Sequence, residues 1–122
     1  MAAAAAITVQ GAIGSLPGGS RTIGPLTITS AAANGSVTQV VLQAGANTIT
    51  TPTNINTTGC IVVLPSDNTS VTTLKGVSGD TGIAIGKTGF LVLTWDSTAA
   101  PSSFVLSSVS TQTSKTTEII YF

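Results

Sequence analysis

Apolar and hydroxyl-bearing residues alternate with a period of two along most of this chain, and that period rules out a helical fold. In "PLTITS" (residues 25–30), Leu26 and Ile28 fall on one side and Thr27 and Thr29 on the other. This is the pattern of a half-buried strand, whereas an amphipathic helix repeats every 3.6 residues. The same reading applies to "ITVQGAI" (7–13), "SVTQVVLQ" (36–43), "ANTITT" (46–51), "VTTLKGV" (71–77), "GIAI" (82–85), "SFVLSSV" (103–109) and "TEIIYF" (117–122). Turn chemistry separates these runs: "LPGG" (16–19), Asn34-Gly35, "QAGAN" (43–47), "LPSDN" (64–68) and "DSTAAPSS" (96–103). Short β-branched runs punctuated in this way predict an all-β fold. The expected architecture is an antiparallel β-sandwich, jelly-roll-like, of about eight to ten short strands. One domain is expected, with residues 1–8 as an N-terminal arm and residues 9–122 as the sandwich.

Two strands, "CIVVL" (60–64) and the opening of "FLVLTW" (90–92), are apolar on consecutive residues instead of alternate ones. Such strands are covered on both faces. Either they are central core strands, or their outer face meets another subunit.

Charge narrows the partners. Charged residues make up 7% of the chain, against about 25% in an ordinary soluble domain. Four cations (Arg21, Lys75, Lys87, Lys115) balance four acids (Asp67, Asp80, Asp96, Glu118), so the net charge is zero. Four scattered cations make no basic patch, so neither nucleic acid nor an anionic membrane surface is an expected partner. A neutral chain whose polarity comes from 22 Thr and 14 Ser is suited to being covered, by copies of itself or by a partner. Homo-oligomerisation is expected, with a trimer favoured. The start, "MAAAAAITVQG", lacks the positive segment of a signal peptide. Ala2, Ala3, Ala4, Ala5, Ala6 and Ile7 read as an arm that orders by docking on a neighbour.

Several short motifs suggest chemistry. Gly86-Lys87-Thr88 ends like a phosphate loop, but Thr81 stands where the first glycine belongs, and a strand follows where a helix is needed. Asp80-Thr81-Gly82 matches the three-residue signature of homodimeric aspartic proteases, in which two carboxylates share a proton. Ser78-Gly79 before it and Ile83 after it depart from that family's pattern. A plain turn accounts for the stretch, with Asp80 accepting backbone N–H bonds and Gly79 and Gly82 at positive φ. With no His and a single Cys, Cys60, neither a metal site nor a thiol nucleophile with its base is legible. No cofactor is expected. Trp95 beside Asp96, at the edge of the 96–103 loop, could stack on a sugar. Tyr121 and Phe122 at the end of the sequence are expected at a contact with a neighbour.

The stretch "TTLKGVSGDTGIAIGKTGFLVLTW" (72–95), together with the closing "TTEIIYF", resembles small β-rich accessory proteins of tailed-bacteriophage virions. The resemblance implies a non-enzymatic structural protein of the virion, assembled in the host cytoplasm. Such a protein would be a capsid decoration or head–tail accessory protein contacting major capsid or tail proteins. A tail or spike module that binds a receptor or glycan is the alternative.

Overall fold

The computed structural model describes residues 6–29, 35–53, 57–113 and 116–122. Ten strands follow in order: β1 Ala6–Leu16, β2 Gly19–Thr29, β3 Ser36–Val40, β4 Gly45–Thr50, β5 Gly59–Val63, β6 Thr72–Lys75, β7 Ile83–Ile85, β8 Phe90–Thr94, β9 Ser103–Ser108 and β10 Thr117–Tyr121. Every ladder between them is antiparallel. The all-β, sandwich-like fold expected from the two-residue period is the fold observed.

Eight strands build two four-stranded sheets, ordered β3-β10-β5-β8 and β4-β9-β6-β7. The pairing is nested. β3 pairs with β10, β4 with β9, β5 with β8 and β6 with β7, as if one long hairpin centred on residues 76–82 had been rolled over itself. Between the sheets lies a core of Leu42, Ile49, Val62, Phe104, Leu106 and Ile119, among others.

β10 shows how alternation sets this core. Thr117, Ile119 and Tyr121 are buried, and Glu118 and Ile120 between them point outward. Because β10 is flanked by β3 and β5, its ladder bonds are satisfied on both edges. A polar clamp closes one end. Gln112, itself buried, accepts from the Leu42 N–H at 3.0 Å and donates to the Thr117 hydroxyl at 2.8 Å. Its own N–H bonds the Leu42 carbonyl at 2.8 Å. Buried polar groups so paired cost little, and unpaired they cost about 1–3 kcal/mol each.

Tyr121 and Phe122 correct an expectation. They are 1% exposed each, inside the chain's own core, and do not lie on a contact surface. The Phe122 carbonyl accepts from the N–H groups of Thr58 and Gly59, and its N–H donates to the Gly59 carbonyl. Gly59 is required here, since a Cβ would fall on the Leu93 carbonyl and 2.8 Å from the Phe122 ring. The aromatic pair is thus accounted for by packing at the end of a central strand.

The N-terminal strands also differ from the expectation. β1 and β2 form a two-stranded sheet of their own, joined at Pro17-Gly18, so the sandwich is drawn from residue 36 onward and the anticipated boundary near residue 8 falls inside β1. The Asn34-Gly35 signal does not join two paired strands. β2 pairs with β1, and β3 finds its partner in β10, where its inward residues Thr38 and Val40 face Ile119 and Thr117. Asn34 itself lies outside the described residues. Tertiary pairing outweighs a local turn preference here.

Candidate functional site

The two outer faces of the sandwich differ sharply. On the β4-β9-β6-β7 sheet, register places Thr48, Val105 and Lys75 in one outward row, and Ala46, Ser107, Thr73 and Ala84 in another. These are mostly small, hydroxyl-bearing or charged residues, as on a sheet face that meets solvent, although Val105 in the middle of its row is buried. On the β3-β10-β5-β8 sheet, one outward row runs Val37, Ile120, Ile61, Val92 across all four strands. The next row runs Gln39, Glu118, Val63, Phe90. Val37 is 60% exposed and Phe90 is 69% exposed. The two consecutive apolar runs are therefore explained. Their alternate residues Cys60, Val62, Leu91 and Leu93 face the core, and Ile61, Val63, Phe90 and Val92 form a second apolar surface on the outside.

The hairpin carries another such surface. Ile7 pairs with Ile28, Val9 with Leu26, Gly11 with Ile23 and Ile13 with Arg21, which puts these residues on one face. Thr8 and Thr27 pair on the opposite face, their hydroxyls 2.9 Å apart. Val9, Ile13, Ile23 and Leu26 are all exposed. Of the anticipated arm residues, Ala2, Ala3, Ala4 and Ala5 lie outside the described residues, Ala6 opens β1 exposed, and Ile7 is half-buried on this apolar face.

A groove at one end of the sandwich gathers other residues singled out by sequence. It encloses about 350 Å³ and is lined by Trp95, Pro101, Phe104, Ile83, Lys75 and Asp80, among others. Trp95 is half-buried against the core. Its indole N–H donates to the carbonyl and hydroxyl oxygens of Thr57, both at 3.1 Å. Asp96 next to it accepts from the hydroxyl and the N–H of Thr98, which holds its carboxyl below the ordinary value.

The glycine-rich stretch is a set of turns. The Asp80 carboxylate accepts from the Val77 N–H at 3.0 Å while the Asp80 N–H donates to the Val77 carbonyl at 3.1 Å, closing the β6–β7 turn. Gly82 has φ of 75° as expected; Gly79 does not share that conformation. Gly86-Lys87-Thr88 turns directly into β8, with the Gly89 N–H on the Gly86 carbonyl at 2.9 Å. Among the described residues no three metal-ligating side chains come together.

Cys60 lies in the core, and burial pushes its thiol up to about 12, which removes the thiolate needed of a nucleophile. Burial first, and then the nearby Cys60 thiol, with which it would share a second negative charge on ionising, push the Tyr121 hydroxyl up to about 12 as well. Comparison of the chain with protein-family models, with curated proteins and with solved structures returned no match.

Proposed function

We propose that this chain is a non-enzymatic structural protein of a virion. It acts as a capsid decoration or head–tail accessory protein present in many copies and attached to major capsid or tail proteins. The observation that carries the reading is the asymmetry of the sandwich: one outer face is mostly hydroxyl-bearing, small or charged, and the other carries one ladder row that is apolar across all four strands, flanked by Val63 and Phe90 in the next. Contiguous exposed apolar surface marks a contact site. The nested order of the eight strands supports taking the sandwich as a jelly roll, an architecture frequent in viral shells and in lectins. Fold by itself assigns no activity, so the surface carries the argument. Attachment works by repetition, with modest contacts per copy adding up to firm binding through avidity. The protein is assembled in the host cytoplasm and resides in the virion. The test is quantitative mass spectrometry of purified particles from the host that carries the gene. The chain is expected at a stoichiometry of many copies per particle; its absence from pure particles overturns the proposal.

A second reading is favoured by the groove. Trp95, Pro101 and Phe104 beside Asp80 and Lys75 make an apolar wall with polar groups at its rim, the composition of a small-ligand cleft. In that reading the chain is a tail or spike module that binds a glycan. Trp95→Ala is expected to abolish glycan capture on an array while far-UV circular dichroism stays unchanged. Equal binding by wild type and variant, or none by either, ends the reading.

A further inference from the structure

We propose that the β1–β2 hairpin of one copy packs its apolar face on the outer face of the β3-β10-β5-β8 sheet of a second copy. The inference rests on the multi-copy reading above and names the two surfaces involved.

The hairpin cannot account for its own stability. An isolated two-stranded ribbon is marginal in water; a third strand or a packed layer is needed. β1 and β2 contact chiefly each other, and almost every described residue of β2 is exposed. Yet the ribbon has eleven residues per strand and a sorted surface, with isoleucines, valine and leucine on one side and threonines on the other. A sequence selected only to be a solvated loop has no reason to sort its faces.

The sheet face has the complementary deficit. Val37, Ile61, Val63, Phe90, Val92 and Ile120 share the outward side of this sheet, Val37 and Phe90 well exposed and the other four half-buried. Stacked sheets pack about 10 Å apart, and seven residues of the hairpin, 7–13, extend about 20 Å. Four strands spaced about 4.8 Å apart offer a platform of similar scale. Charge agrees with shape. The hairpin face carries one charged residue, Arg21 opposite Ile13, and the sheet face carries one of opposite sign, Glu118 between Gln39 and Val63. Gln39 already fixes the Glu118 carboxylate by donating to Oε1 at 3.1 Å. The hairpin-on-sheet pairing joins a face bearing a single cation to a face bearing a single anion. Because the contact joins unlike surfaces, copies either close into a ring or exchange hairpins reciprocally in a dimer.

Sedimentation velocity of the full chain and five variants tests this. Wild type is expected to be oligomeric. Leu26→Glu on the hairpin and Phe90→Glu on the sheet each place a carboxylate in the apolar contact, and each is expected to weaken association by about 100-fold, the scale of an interface hot spot. Both positions are well exposed, at 62% and 69%, so the fold is not at stake; Val9→Glu and Val37→Glu probe the same two faces independently. Thr27→Glu, on the hairpin's other face, is expected to leave association unchanged. Mixing Leu26→Glu with Phe90→Glu chains is expected to restore a two-chain species, since one supplies an intact sheet and the other an intact hairpin. A monomeric wild type, an effect confined to one of the two faces, or a mixture that stays monomeric overturns the inference. A chain that associates in this way but is absent from particles leaves the inference standing and sinks the virion reading; a monomeric chain found in particles does the reverse.

Discussion

A chain shortened to end at Ile120 is expected to lose its cooperative unfolding transition. Tyr121 and Phe122 are among the most completely buried side chains, at 1% exposure each. Removing a buried aromatic ring costs about 3–5 kcal/mol, so losing two approaches the whole stability of an ordinary domain, about 5–15 kcal/mol. The loss is larger than the rings alone. Tyr121 is the last rung joining β10 to both Cys60 and Ser36, and the Phe122 backbone holds Thr58 and Gly59 through three hydrogen bonds. Urea unfolding followed by Trp95 fluorescence and far-UV circular dichroism measures it. A midpoint equal to that of the full chain would show the aromatic pair to be dispensable for the fold. The same numbers replace the expectation that these residues serve contacts with a neighbour: truncation here destroys the sandwich before it can test any interface.

Gly82→Ala is expected to destabilise by about 2–4 kcal/mol, the sum of a strained backbone and an overpacked site. Gly82 adopts φ of 75°, and a Cβ there would strike the Leu74 carbonyl and lie 2.7 Å from side-chain carbons of both Thr73 and Lys75. Gly79 in the same turn has open space where a Cβ would go and no positive φ. Gly79→Ala is therefore expected to fall within about 0.5 kcal/mol of wild type, like most surface substitutions. Thermal melts of the two variants side by side read the difference. Equal melting temperatures would mean that the β6–β7 turn relaxes freely and that its glycines are interchangeable. The pair matters because the stretch around Asp80 imitates catalytic loops in sequence. In the fold it is the innermost turn of the nested pairing, and its glycine serves a close approach of backbone to backbone.

The candidate site was only half legible. The runs 60–64 and 90–92 announced strands apolar on both sides, and the option that one side meets another subunit was readable from them. That Val37 and Ile120 complete the same patch was not, because they come from residues 83 apart in sequence and meet only through the register of β10 with β3. Trp95 and Asp80 shared no signal in the sequence; the groove that holds both exists because two connections end at the same edge of the sandwich. The pairing of Ile7, Val9 and Ile13 with Ile28, Leu26 and Arg21 depended on the turn at Pro17-Gly18, which the sequence marked as a turn without saying what it joined.

What the sequence determined by itself was local. Side-chain alternation, β-branching and turn residues act over a few positions, so they set the strands and the solvent-facing threonines without reference to the rest of the chain. What tertiary structure decided was which edges and faces meet. Strand pairing is a choice among distant partners with similar local preferences, settled by which arrangement buries Leu106, Ile119, Tyr121 and Phe122 together. That choice put β10 between β3 and β5, turned the closing aromatics inward, left β1 and β2 out of the sandwich, and gave one sheet an apolar face on each side.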